Sequence, residues 1–146
     1  MDNLFERKEN NKMIVDGLKE FFENCPILES EDIGVDFLGS EAFDYTIEVM
    51  PSQTVLKKYT DGSSYNQLTF NFASRNFYGD DNLKNTLFYE KFANWLSDCT
   101  KKGILPDLGE NLTPETIEAQ SFVYLYSSGA TTARYQIKCV LTYYKN

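Results

Sequence analysis

The last fifteen residues but one, "TTARYQIKCVLTYYK" (131–145), alternate with a period of two almost without interruption. Ala133, Tyr135, Ile137, Cys139, Leu141 and Tyr143 fall on one face. Arg134, Gln136, Lys138, Val140, Thr142 and Tyr144 fall on the other. Such a run is a long strand with one buried face, so the chain must build a sheet around it. "IEAQSFVYLYSS" (117–128) precedes it, with Gly129 in the turn, and reads as its hairpin partner. In that partner, Phe122, Tyr124 and Tyr126 oppose Val123 and Leu125. One face of the hairpin can lie on helices, yet the second still carries aromatics. Tyrosine offers apolar area with a polar tip, so Tyr124, Tyr126 and Tyr144 suit either a subunit contact or ordinary surface exposure.

The rest of the chain supplies the other layers. Ile14, Leu18, Phe21 and Phe22 share one helical face, and Asn24 and Pro26 close that helix. Residues 1–12 read as a frayed helix start or a mobile arm. "IGVDFLG" (33–39) is a short strand, and "FDYTIEVM" (43–50) a half-buried one with Phe43, Tyr45, Ile47 and Val49 inward. Asp61-Gly62 is a strong turn signal, predicting a hairpin over 54–60 and 65–74 with Leu68, Phe70 and Phe72 facing in. From 82 to 102, Leu83, Leu87, Phe88, Phe92, Trp95, Leu96 and Cys99 form an apolar stripe at helical spacing. Asp80 or Asp81 stands where an N-cap belongs, Lys101 and Lys102 load the C-terminal end, and Gly103 suits a left-handed cap. Residues 104–116, punctuated by Pro106, Gly109 and Pro114, read as a loop. The order predicts one α+β domain over 1–146, a largely antiparallel or mixed sheet with two main helices on one face.

Composition narrows the chemistry. Histidine is absent from all 146 residues, which removes the commonest general base, the commonest metal ligand and every Ser/His or Cys/His arrangement. Cys25, Cys99 and Cys139 are too far apart for a metal or redox motif and sit in apolar patterns, as buried reduced thiols do. No phosphate-cradling glycine loop, zinc-protease helix or nucleophile elbow occurs. "DDNLKNTLFYE" has oxygen donors but lacks the glycine a calcium loop needs at its sixth position. A net charge of −8 argues against wrapping a phosphate backbone. No catalytic residue, cofactor or metal is expected. No run approaches eighteen apolar residues and no leader-like N-terminus is present, so an intracellular site of synthesis without membrane partners is expected.

The combination "VLKKYTDGSSYNQLTFNFASRNFYGDD", "FYEKFANWL", "LPDLGE" and "IEAQSFVYLYSSGATTARYQIKCVLTYY", over roughly residues 43–144, resembles a family in prophages of Gram-positive bacteria labelled minor capsid protein. That family is similar to tail terminators, small α+β proteins that form a ring, generally hexameric, on the head-proximal end of a phage tail. The resemblance implies a structural role in a phage tail or tail-like bacteriocin. The implied partners are further copies of the chain, the tail tube protein, a head connector or collar protein, and sheath protein in a contractile tail. It carries over no site residues. The residues themselves nominate a contact surface: Lys57, Lys58 and Tyr59 before the Asp61-Gly62 tip, Arg75 and Tyr78 in a strand-to-helix loop, and Tyr124, Tyr126 and Tyr144 on the second sheet face. Lys57, Lys58 and Arg75 form either a small basic spot or a solvated edge. Two readings compete with a terminator: another connector, stopper or tail-completion protein, and a small intracellular ligand-binding domain.

Overall fold

The computed structural model describes residues 13–29 and 33–146; the expectation for residues 1–12 lies outside the described residues. The elements are α1 (Ile14–Glu23), β1 (Ile33–Val35), β2 (Tyr45–Met50), β3 (Val55–Lys58), β4 (Ser64–Phe77), α2 (Asn82–Lys102), β5 (Leu112–Ala119), β6 (Tyr124–Ser128) and β7 (Thr132–Lys145). The strands form one mixed sheet in the order β1-β2-β4-β7-β5, with β3 added to β4 and β6 to β7. Among the described residues only β1–β2 is parallel; the other pairings are antiparallel. The fold is α+β, with both helices on one face of the sheet, as the element order predicted.

Two strands carry the sheet. β4 and β7 pair without a register break from Ser64↔Lys145 to Phe77↔Thr132. Every residue assigned to the inner face of β7, from Ala133 to Tyr143, is buried, because alternation leaves no other way to hide that much apolar surface. Above it, Phe22 of α1 packs tilted on Phe72 of β4 and Phe92 of α2 stacks on it, at ring-centroid distances of 5.0 and 4.5 Å. α1 is entered through Asp16, whose carboxylate accepts from the Met13 N–H at 3.3 Å. α2 ends on Gly103 at φ 72°, with the Ile104 N–H returning to the Cys99 carbonyl at 2.9 Å.

Several boundaries differ from expectation. β1 stops at Val35 instead of running to Gly39, since Asp36 takes a left-handed φ of 56° and the Phe37 N–H turns to Thr46 Oγ1. Val49, expected inward, is exposed: β1 ends opposite Ile47, so β2 is flanked there by β4 alone. The 104–116 loop gives way to β5 at Leu112, and Pro114 is tolerated because β5 lies on an edge. The expected long strand 117–128 is two strands. At Ser121 the side-chain oxygen accepts from the Lys138 N–H, ending the ladder, and Phe122 swings out to 94% exposure.

α2 is rotated relative to its apparent stripe. Leu83 and Leu87 are exposed, whereas Asn85 and Tyr89 are buried. Both polar tips are satisfied inside: Asn85 Nδ2 donates to the Phe77 carbonyl at 2.7 Å, and the Tyr89 hydroxyl lies 2.5 Å from Ser74 Oγ. The N-cap also differs. Asp81 occupies the position but its carboxylate caps nothing; instead Asn82 Oδ1 accepts from the Gly79 N–H at 2.9 Å. Asp81→Ala is therefore expected to change stability by under about 0.5 kcal/mol and Asn82→Ala to lower it by about 1 kcal/mol. Urea melts of the two variants check this ordering.

All three thiols are free and buried. Desolvation pushes Cys25 up to about 11 from an ordinary 9.0, and raises Cys99 and Cys139 as well. Desolvation also carries the Tyr45 hydroxyl from 10.0 to about 12, partly offset by the Glu29 N–H it accepts at 3.0 Å. Each group is neutral when folded and ionises sooner when unfolded. Their stabilisation is thus complete below pH 9 and fades as pH climbs through about 11 and 12. Urea midpoints are expected to fall steadily above pH 9, and an aromatic disulfide reagent at pH 8 to label the thiols only as fast as the protein opens.

Candidate protein–protein interface

The described helices cover one face of the sheet; of the nominated contact residues, Lys57, Tyr124, Tyr126 and Tyr144 lie on the other. Its central rows run Glu48–Asn71–Lys138 and Thr46–Ala73–Gln136–Tyr124 across β2, β4, β7 and, in the second, β6. Arg134 of β7 lies on the same face in the next row, opposite Arg75. Its guanidinium forms an ion pair with Glu48, its Nε donates to Gln136 Oε1 at 2.9 Å, and it lies 4.7 Å from the Tyr126 ring centre. Gln136 Nε2 then donates to the Tyr124 hydroxyl. One arginine thereby ties β2, β7 and the exposed edge strand β6 together. A rigid, half-buried network of this kind presents Tyr124 and Tyr126 in fixed orientations. Beside it, Asn71 is buried, and its Oδ1 accepts no hydrogen bond among the described residues. Arg134 was not nominated from sequence; the signal available was a charged residue alternating with core positions in the middle of the longest strand.

A second cluster stands at the other end of β4. Lys57 lies opposite Tyr65 and Lys58 opposite Ser64, next to the turn. Gly62 adopts φ 93°, and Asp61 Oδ1 accepts from both the Ser63 N–H (2.9 Å) and Ser63 Oγ (2.6 Å). Those bonds hold the Asp61 carboxyl below its ordinary range, so its job is to shape the turn. The Lys57 ammonium sits 5.4 Å from the Tyr59 ring centre. Tyr65 packs on Tyr144 at 4.8 Å. Desolvation, then the nearby Glu115, Tyr59 and Tyr65, raise the Tyr144 hydroxyl. Lys57, Tyr59 and Tyr144 are thus one patch, joined by Tyr65, whereas Lys58 falls in the Ser64 and Lys145 row of the opposite face and the Asp61 carboxylate is taken up by the turn.

Arg75 and Tyr78 do not join it. Arg75 lies within β4, eleven residues from Ser64, which is about 36 Å along a strand. Its Nε donates to the Gly39 carbonyl at 2.8 Å, and its own carbonyl accepts from the Phe43 N–H. It fastens the 39–43 loop, so the basic spot of Lys57, Lys58 and Arg75 does not exist. The Tyr78 N–H bonds the Thr131 carbonyl at 3.0 Å, and its ring packs against the core. Both are structural in position.

Two recesses flank the sheet in the helix layer. A groove of about 320 Å³ opens beside β2, lined by Phe43, Phe77, Leu87 and Phe88 together with the charged Glu29, Asp81, Lys84 and Lys91. On the β6 side, Phe122 and Val123 border a cleft of about 440 Å³ against Tyr89 and Ala93 of α2. Among the described residues no group of three or more His, Cys, Asp and Glu is placed to hold a metal ion, and no helix is long and apolar enough to cross a membrane. Comparison with models of known protein families and with curated proteins finds no match for this chain.

Proposed function

We propose that this chain is a structural protein of a phage tail or phage-tail-like particle. It acts as a tail terminator: copies form a ring that caps the head-proximal end of the tail tube and joins it to the head or collar. The observation that carries the reading is the resemblance over residues 43–144, centred on the "DGS" turn, "FASR" and "TARYQI". A sheet face on which neither described helix packs supports it, with aromatics held at both ends: Tyr124 by Gln136, Tyr126 by Arg134, and Tyr144 by Tyr65. Such a surface works by contact, the aromatic rings supplying area and the fixed polar groups supplying register. The tube protein, the connector or collar, and sheath in a contractile tail are the partners this role requires. The net charge of −8 suits a lumen through which DNA slides without adhering.

Native mass spectrometry with negative-stain imaging of the purified protein, followed by antibody labelling of intact tail particles, tests the reading. Closed rings, with label at the head-proximal end of the tube, are expected. A protein that stays monomeric and is absent from purified tails overturns it. Label on the connector side of the joint would instead make it a stopper.

A further inference from the structure

We propose that copies of this chain associate head to tail through opposite edges of the sheet, the β3 edge of one copy lying against the β5 edge of the next. The proposal rests on the ring reading above and specifies the two surfaces that would close the ring.

β3 and β5 flank the same end of the β4–β7 pair from opposite sides. One row of the sheet runs Lys57, Tyr65, Tyr144, Thr113 from edge to edge. The two edges are opposite in charge. β3 exposes Lys57 and Lys58 and contains no carboxylate. β5 exposes Glu115 and Glu118, with Glu110 just before it, and contains no cation. Among the described residues none of these side chains is in an ion pair; the single pair there is Arg134–Glu48. Lys145, at the end of β7, lies between the two edges and belongs to neither.

These charges select among the possible contacts. Two β3 edges would set lysines against lysines, and two β5 edges would set glutamates against glutamates. Only β3 against β5 places opposite charges together. A symmetric dimer through either edge is therefore disfavoured, and the heterologous contact that can close into a ring is favoured. The net charge of −8 strengthens the selection, since copies repel one another wherever local charge is not complementary. Backbone chemistry limits the contact to side chains: Pro114 has no N–H, and the register shift between Pro114 and Thr116 interrupts the outer rim of β5.

The same two sides match in shape further from the hairpin. Phe122 protrudes at 94% exposure between β5 and β6. The groove lined by Phe43, Phe77 and Leu87 opens on the β2 side, the side that also carries β3. An edge-to-edge neighbour would bring a protruding phenyl ring toward a recess that Phe43, Phe77 and Leu87 line in part, while charge sets the direction of approach.

Charge reversal tests the assignment. The pair Lys57→Glu/Lys58→Glu and the pair Glu115→Lys/Glu118→Lys are made separately and together in one chain, with melting curves to verify folding. All four positions are exposed. Assembly is read by sedimentation velocity and native mass spectrometry at about 0.1 M salt, where contacts within about 10 Å remain effective. Each reversed pair alone is expected to weaken assembly roughly tenfold or more. A one-to-one mixture of the two, and the fourfold variant, are expected to restore it to within about threefold of the natural chain. That cross-rescue follows only if the two edges meet. If both reversed pairs assemble like the natural chain, or both fail and neither combination rescues, the edge assignment is wrong while the ring reading stands. If the natural chain never assembles and is absent from tails, both fall.

Discussion

Phe92→Ala is expected to lower the unfolding free energy by about 3–5 kcal/mol. The side chain is fully buried where both described helices meet the sheet. Its ring lies 4.5 Å from Phe72 of the sheet, 5.6 Å from Phe22 of α1, and 5.9, 6.3 and 6.4 Å from Tyr89, Phe88 and Trp95 of its own helix. Truncation removes transfer free energy and opens a cavity that rigid neighbouring rings fill poorly. A domain of this size is stable by about 5–15 kcal/mol, so the variant would lose a large share of its margin. Phe122→Ala is the contrasting case. That ring is 94% exposed, and its removal is expected to move stability by less than about 0.5 kcal/mol. Urea denaturation of both measures the difference. A cost for Phe92→Ala below about 1.5 kcal/mol would mean that the aromatic cluster repacks and is not the hub described.

The two outcomes separate what local sequence records from what it does not. The inner face of β7 was legible because burial on one side of a strand forces a period of two, and counting alternate residues places Ala133 and Tyr143 on that face whatever packs against it. The Asp61-Gly62 turn was legible for a similar reason: Asp61 bonds Ser63 two residues on. α2 shows the limit. Leu83 and Leu87 look like core beside Asn85 and Tyr89, yet the polar residues are inside. Their burial depends on Phe77, Ser74 and Tyr135, whose arrival is a property of the sheet and not of the helix. β5 and β6 divide at Ser121 for the same kind of reason, since a serine oxygen competes with the ladder only once Lys138 is opposite it.

The contact surface divides along the same line. Tyr124, Tyr126 and Tyr144 could be placed on the outer face by counting alternate positions, and Lys57 to Asp61 by their distance from the turn. Arg75 resembled a surface cation until the Gly39 carbonyl, 36 residues earlier in sequence, came to lie against it. Arg134 was the converse case. Its importance arises from Glu48, 86 residues away on β2, and from Tyr126 on the neighbouring strand β6, with Gln136 two residues along its own strand completing the network. Spacing along the chain reveals which face a side chain occupies; it does not reveal what waits on that face.

Gly17→Ala tests this contrast most directly, because local and tertiary reasoning predict opposite signs. Gly17 lies inside α1, where alanine is favoured over glycine by about 1 kcal/mol from backbone entropy alone. Sequence reasoning would therefore propose the substitution as stabilising. In the fold, Gly17 is buried against the chain at Asp107 and Leu108. An added Cβ would fall far inside van der Waals contact of the Asp107 carbonyl oxygen, 3.1 Å from its carbon and 3.5 Å from Leu108 Cδ2. The obstacle is backbone, so no rotamer change relieves it. Either α1 retreats, loosening Phe21 and Phe22, or the segment at Leu108, itself buried, is pushed outward. Overpacking of this kind costs about 1–3 kcal/mol and occasionally more, which exceeds the propensity gain. The net expectation is destabilisation by about 1–2 kcal/mol, read from urea midpoints beside an exposed control, Asp16→Ala being unsuitable because Asp16 holds the Met13 N–H and Lys101→Ala being free of that complication. A gain of stability from Gly17→Ala would show that the 105–108 segment yields readily, and that α1 is held in place by its aromatic face alone.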